Sequence, residues 1–106
     1  MDTATLREKV KQVISQYAHL TPSHGQIRLD TVFDDTQNRY ALMQTGWSQG
    51  RRVRGNLIYI TLQDERIYLE YDGMEQGITE DLHNLGVPSE QIVLAFLPES
   101  PLALAG

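Results

Sequence analysis

The densest group of side chains suited to ligand contact is Arg51-Arg52-Val53-Arg54. Guanidinium groups donate paired hydrogen bonds to phosphate or carboxylate oxygens, so this cluster can bind nucleic acid or the acidic side chains of a partner protein. Arginines at the start of a strand can equally protect a sheet edge or lie solvated on the surface. Because the net charge of the chain is −5, a structural role or a protein contact is favoured over nucleic acid.

A second group consists of five carboxylates that could approach one another in a fold. They are Asp30, Asp34, Asp35, Glu70 and Asp72. Two or three carboxylates can hold Mg²⁺ in a metal-dependent nuclease or hydrolase. Such a nuclease usually adds a lysine near the acids, whereas both lysines here, Lys9 and Lys11, belong to the first predicted helix. Asp34 and Asp35 fall in a polar turn cluster, where an Asx turn is the simpler interpretation.

Other catalytic arrangements have no counterpart in the sequence. There is no cysteine, and the three histidines, His19, His24 and His83, lack the i, i+4 spacing of a zinc-binding helix. No serine lies in a nucleophile elbow, and no glycine-rich phosphate-binding motif is present. We therefore predict a protein that is not an enzyme, with no catalytic residue, no cofactor and no metal ligand.

The aromatic residues offer a further kind of contact. Trp47 could form a stacking platform for bases together with four tyrosines: Tyr40, Tyr59, Tyr68 and Tyr71. Aromatic side chains on strands are more often core or interface residues. The alternative interpretations of core, protein interface and base platform stay open at this point.

The hydrophobic spacing predicts the elements that position these residues. Helical spacing indicates helices over residues 3–20 and 75–85. Alternating or continuous apolar residues indicate five strands: Gln26–Phe33, Arg39–Trp47, Arg51–Leu62, Ile67–Asp72 and Ile92–Phe96. Short connections between the first four strands favour an antiparallel meander. The predicted fold is a single α+β domain over residues 1–106, with an N-terminal helix, an antiparallel sheet of about five strands and a second helix before the last strand.

The strand patterns also predict which side chains share a face. The third strand is apolar on both faces, so we expect it to be central. In the fourth strand we expect Ile67, Leu69 and Tyr71 on one face, alternating with Tyr68 and Glu70 on the other. Gly46 is interpreted as a bulge. Two helices of moderate length do not cover both faces of such a sheet, so a second copy of the chain or another protein is expected to cover the remainder.

Charge and hydropathy indicate where the protein is located and what kind of partner it binds. No apolar run approaches the roughly 20 residues of a membrane span, and the charged N-terminus lacks the apolar core of a signal peptide. A cytoplasmic protein without membrane contact is expected. Residues 1–66 carry all nine Lys and Arg against seven Asp and Glu, whereas residues 67–106 carry seven acidic residues and no Lys or Arg. The acidic half is suited to a basic partner surface.

Several stretches along the chain match one known protein family. They are Thr21-Pro22-Ser23-His24-Gly25-Gln26-Ile27, Val32-Phe33-Asp34, Tyr40-Ala41-Leu42-Met43, Gly46-Trp47 with Arg52-Val53, Ile67-Tyr68, Asp72-Gly73, Gly77-Ile78 with Leu82, and Gly86-Val87-Pro88 through Ile92-Val93-Leu94-Ala95-Phe96. In these residues the chain resembles the XisI family, named for control of the excision of the fdxN element, a DNA element that interrupts a ferredoxin gene in cyanobacteria. The resemblance departs at Met74, where threonine is usual, and in the tail after Phe96, which lacks a basic segment ending in an aromatic residue.

The resemblance implies an accessory role beside XisH, a nuclease-like companion, and a separate site-specific recombinase. It supplies no catalytic motif. We therefore expect an XisH-like partner, a homo-dimer or larger homo-oligomer, and DNA contact only as an alternative. The residues predicted to bind a partner are Trp47, Arg52, Arg54, Tyr59, Tyr68, Asp72 and Glu75.

Overall fold

One long helix and a five-stranded sheet make up most of the fold. The computed structural model describes residues 1–20, 26–74 and 77–97. Its elements are α1 (Thr3–Leu20), β1 (Gln26–Asp34), β2 (Arg39–Ser48), β3 (Arg51–Gln63), β4 (Arg66–Asp72), α2 (Thr79–Asn84), a 3-10 turn (Ser89–Gln91) and β5 (Ile92–Leu94). Neither described helix has the length and apolar composition needed to span a membrane.

The strands follow chain order in the sheet, β1-β2-β3-β4-β5. The first four are antiparallel neighbours, and β5 pairs parallel to β4. The predicted α+β fold and the central position of the third strand are thus confirmed. The second helix starts at Thr79 rather than near residue 75. Glu75 and the predicted turn at residues 22–25 lie outside the described residues, as does the tail beyond Leu97.

The hydrophobic core lies on one face of the sheet only. Because α1 repeats its apolar residues every three or four positions, one side of it packs against the sheet. The core residues are Leu6, Val10, Val13, Ile14, Tyr40, Leu42, Ile58, Ile60, Leu62, Ile67, Leu69, Ile78, Leu82 and Val87. The strand members of this set alternate with side chains that point to the opposite face. The helices therefore cover one face, and the described chain leaves the other without a covering layer.

Two irregularities in strand pairing change which side chains share a face. The register of β2 with β3 shifts between Leu42 and Met43, so Leu57 is an extra residue in β3. The register of β3 with β4 shifts between Tyr59 and Ile60, so Glu70 is an extra residue in β4. As a result Tyr71 lies opposite Tyr59 and is 47% exposed. The prediction that Tyr71 shares a face with Ile67 and Leu69 is wrong, because the bulge reverses the alternation.

Gly46 is not the bulge that the sequence suggested. It pairs in regular register with Ile27 on one side and Val53 on the other. A Cβ at this position would lie 1.9 Å from the carbonyl oxygen of Gln26. The position requires glycine because the backbone of β1 approaches it closely.

Two aspartates accept backbone amides near the starts of the helices. Asp2 Oδ1 accepts the Thr5 amide at 2.8 Å and so caps α1. Asp72 accepts the amides of Met74 and Ile78 through its two carboxylate oxygens, at 3.0 and 2.8 Å. Asp72, the last residue of β4, is thereby bonded to the residue that immediately precedes α2.

A polar network joins α1 to the turn between β1 and β2. Lys11 Nζ donates to Asp35 Oδ2 at 2.9 Å, and the hydroxyl of the buried Tyr40 donates to Asp35 Oδ1 at 2.9 Å. Arg7 donates to the Tyr40 hydroxyl and to Asn38, both at 2.8 Å. The hydrogen bond from Lys11, followed by that from Tyr40, holds the pKa of Asp35 below its usual range.

This network predicts acid sensitivity. Because the pKa of Asp35 is lowered on folding, its contribution to stability is present above the unfolded value and is lost as the pH falls through the lower folded value. The urea midpoint should therefore fall between about pH 6 and about pH 3, and fall less in Asp35→Asn. Glu65→Gln, a change in an exposed turn, should keep the wild-type pH dependence. Equal pH dependence in wild type and Asp35→Asn would contradict this role.

Candidate interaction surface

We call the sheet face opposite α1 and α2 the open face. Directly paired residues of neighbouring strands project on the same side of a sheet. The pairing Val32↔Ala41, Ala41↔Tyr59 and Tyr59↔Tyr71 therefore forms one line across four strands, which we call the open-face row. Val32 is 51% exposed, whereas the small Ala41 is buried between its neighbours. The row presents aliphatic and aromatic surface to solvent.

A second, more polar line lies beside the open-face row. It consists of Arg39, Thr61, Tyr68 and Val93, again paired from strand to strand. Arg39 donates to the Tyr59 hydroxyl at 2.6 Å, and Thr61 donates to Glu70 at 3.0 Å. These bonds join the second line to the bulge and to the row, so the aromatic rings have polar groups at one border.

The other end of the open face is basic. We define the basic tip as Arg28, Thr45, Trp47, Arg52 and Arg54. Strand pairing places Arg28 beside Thr45 and Thr45 beside Arg54, while Trp47 pairs with Arg52. The Arg52 guanidinium lies 5.5 Å from the centroid of the Trp47 ring, within the range of a cation–π contact. Trp47 is 49% exposed.

The predicted partner-binding residues fall into separate groups. Trp47, Arg52 and Arg54 belong to the basic tip. Tyr59 and Tyr68 lie on neighbouring strands further along the open face. Asp72 instead holds backbone amides at the start of the α2 segment. Glu75, the last predicted residue, lies outside the described part of the chain.

Tyr40 does not belong to a stacking platform. Its ring is fully buried on the helix-covered face, and its hydroxyl binds Asp35 and Arg7. Burial is the main reason that the pKa of Tyr40 is raised. The four tyrosines and Trp47 therefore do not form one surface, because strand alternation sends Tyr40 to the opposite side from Tyr59.

The candidate carboxylates serve separate local structures. Asp34 accepts the amides of Thr36 and Gln37, which forms the predicted Asx turn. Asp30 pairs with Arg28 at 2.9 Å, and Glu70 accepts the Thr61 hydroxyl. Across residues 1–20, 26–74 and 77–97, no three His, Asp or Glu side chains are grouped as they would be around a metal ion.

Five members of the open-face row and the basic tip were missing from the predicted partner set; they are Val32, Ala41, Tyr71, Arg28 and Thr45. Alternation along β1 does place Arg28 and Val32 on the face opposite Phe33, so the strand pattern contained this information. What it lacked was the register with β2, which brings Arg28 to the end that carries Trp47. Tyr71 depends on a bulge that no local pattern indicates.

Together these features define a small α+β protein with a mostly antiparallel sheet, covered by helices on one face and open on the other. The chain belongs to the XisI family, whose match, described as XisI protein, extends over residues 1–104. The resemblance seen in the Gly-Trp and Gly-Val-Pro segments is thus confirmed over nearly the whole sequence.

Two solved structures from Anabaena variabilis ATCC 29413 are similar to this chain. A XisI-like protein is 27% identical, with a TM-score of 0.84, over 90% of this chain and 87% of its own. The fdxN element excision controlling factor XisI is 26% identical, with a TM-score of 0.73, over 92% of this chain and 95% of its own. No curated protein matches this chain. The family match and the structural similarity therefore both indicate the XisI family.

Proposed function

We propose that this chain is a non-catalytic accessory protein that binds an XisH-like, nuclease-related partner and so takes part in controlling the excision of a DNA element. Membership of the XisI family supports this role. A further support is the similarity to a protein that is itself described as an excision controlling factor. The proposal assigns the open-face row to the contact with the partner.

The observation that carries the proposal is the open-face row itself. Val32 and Tyr71 are each about half exposed on a sheet face over which the described chain places no helix or strand. Aromatic side chains are enriched in the cores of protein interfaces, and a few of them commonly dominate the binding energy. Contact with a partner would remove this apolar surface from water, which is favourable in proportion to the area covered.

Charge supports a basic partner. From Ile67 to Leu97 the described residues include five carboxylates and no Lys or Arg; they are Glu70, Asp72, Glu80, Asp81 and Glu90. Glu70 reaches the open face through its bond to Thr61. Complementary charge at the rim of an interface speeds association and excludes wrong partners more than it adds affinity.

The direct test is co-purification with an XisH-like protein, using tagged companion and untagged wild type at about 10 μM, a concentration at which interfaces of standard size are populated. Val32→Arg should weaken the complex at least about tenfold, because it places a longer, charged side chain in apolar contact surface. Gln12→Arg is the matched control: it adds the same side chain at an exposed position of α1, and should bind like wild type.

Three results would count against the proposal. One is no complex with the wild-type chain at that concentration. Another is equal binding by Val32→Arg and Gln12→Arg. The third is a wild-type homo-dimer, measured by light scattering, that Val32→Arg converts to monomer while the companion fails to bind. That last result would assign the open-face row to a second copy of this chain.

A further inference from the structure

We infer that the basic tip is a binding surface for single-stranded nucleic acid, separate from the open-face row. The strand segments that meet there, residues 26–29 and 44–57, contain four arginines and no Asp or Glu. The complete chain has a net charge of −5. Positive charge is therefore concentrated at one end of an acidic molecule, as in proteins that attract a polyanion to a single site.

Strand pairing places three of these arginines on one face. Arg28 of β1 and Arg54 of β3 flank Thr45 of β2, and Arg52 lies two residues before Arg54. Neighbouring strands are about 4.8 Å apart, so Arg28 and Arg54 are separated by about 10 Å, and Arg52 and Arg54 by about 7 Å. This spread lets several guanidinium groups contact successive phosphates of one strand rather than a single anion.

Most of this positive charge is not neutralised by the described residues. Arg28 pairs with Asp30 at 2.9 Å, but both side chains are well exposed, so the pair is weak and can open. Within residues 1–20, 26–74 and 77–97, Arg52 and Arg54 form no ion pair with a carboxylate. Their guanidinium groups remain able to donate to phosphate oxygens.

Trp47 distinguishes a nucleic acid from an acidic peptide as the ligand. Its indole is half exposed beside Arg52, and bases stack on aromatic faces with little dependence on sequence. Its nearest open-face neighbours besides Arg52 are polar: Gln26 pairs with Trp47, and Thr45 lies two residues before it in β2. An aromatic ring among arginines and hydrogen-bonding groups suits an unpaired base with its phosphates. A base within a duplex is stacked between its neighbours, so its face is not free to stack on Trp47.

Binding at the basic tip can be followed by intrinsic tryptophan fluorescence, because Trp47 is the only tryptophan in the sequence. Titration with oligothymidylate should quench its fluorescence, and anisotropy of the labelled oligonucleotide should report the same affinity. With three phosphate contacts, the plot of log K against log salt should have a slope of about −2. Trp47→Ala, followed by anisotropy, should weaken binding roughly 5- to 150-fold.

Arg54→Ala should make the salt slope shallower by about 0.7. Arg66→Ala is the matched control, because Arg66 is exposed and pairs with Gln63 at the opposite end of β3. It removes the same charge and should leave the slope unchanged. Circular dichroism of each variant checks that the fold is retained, and Arg54→Ala keeps the test decisive should Trp47→Ala fail to fold.

The proposal is overturned by any of the following results. Oligothymidylate does not bind at about 10 μM in low salt, where phosphate contacts are strongest. Arg66→Ala weakens binding as much as Arg54→Ala does. Polyglutamate of equal charge competes as well as the oligonucleotide, which would assign the tip to an acidic protein surface. A duplex of equal length binds more tightly than the single strand, which would exclude stacking on Trp47.

Discussion

Gly46→Ala is expected to lower the free energy of unfolding by at least about 3 kcal/mol, a loss typical of severe steric conflict in a packed structure. The added Cβ would lie 1.9 Å from the carbonyl oxygen of Gln26 and 2.8 Å from the Cα of Ile27. These are backbone atoms of β1, which cannot turn aside as the end of a flexible side chain can. Accommodating the methyl group therefore requires β1 to move away from β2.

Gly50→Ala is the control for this prediction. Gly50 lies in the turn between β2 and β3 with φ of +75°, and a Cβ there meets no atom within 4 Å. Its replacement should cost only the left-handed backbone strain, about 1–2 kcal/mol. Urea unfolding of both variants measures the difference in free energy. If Gly46→Ala were no more destabilising than Gly50→Ala, close contact between the two strands could not explain the glycine.

The same close contact links the fold to both proposed surfaces. β1 supplies Val32 to the open-face row and Arg28 to the basic tip, and both positions depend on the register of β1 with β2. If Gly46→Ala forces these strands apart, the variant should lose the pairing Val32↔Ala41 as well as the pairing Arg28↔Thr45. Loss of binding in Gly46→Ala would therefore report lost structure, which is why the binding tests use exposed residues.

Local periodicity was sufficient to predict the buried side of α1 and the alternation in β2. Leu6, Val10, Val13 and Ile14 repeat at helical spacing, and their burial follows from that spacing alone. Tyr71 shows where this reasoning fails. Its side depends on Glu70 being an extra residue opposite Tyr59 and Ile60, which is a relation between two strands rather than a property of either sequence.

The candidate surface was predictable where its members are close in sequence. Trp47, Arg52 and Arg54 lie on either side of one tight turn, so any hairpin brings them together. Arg28 joins them only through the pairing of β1 with β2. Asp72 was predicted to contact a partner because it is acidic, but its oxygens hold the amides of Met74 and Ile78. Charge alone did not distinguish a carboxylate that contacts a partner from one that accepts backbone amides of its own chain.

Shortening a side chain to alanine should destabilise the protein more on the helix-covered face of the sheet than on the open face. Leu42 is fully buried on the helix-covered face, beside Ile58. Leu42→Ala should lower the free energy of unfolding by about 2–5 kcal/mol, because it removes buried methyl groups and leaves a cavity. Met43 is partly exposed on the open face, paired with Asp30 and Asn56. Met43→Ala should cost less than about 1.5 kcal/mol, since solvent already reaches the side chain.

Urea unfolding of the two variants at several protein concentrations tests this difference. If the protein is monomeric, the loss in free energy of unfolding caused by either substitution should not depend on protein concentration, because the helix-covered core lies within one molecule. If Met43→Ala were as destabilising as Leu42→Ala, the open face would be packed against something in the purified protein. A loss that grew with concentration would identify that cover as a second copy, since association adds stability by mass action. The open-face row would then be occupied before any XisH-like protein could reach it, so a small effect of Met43→Ala is required for the proposed contact.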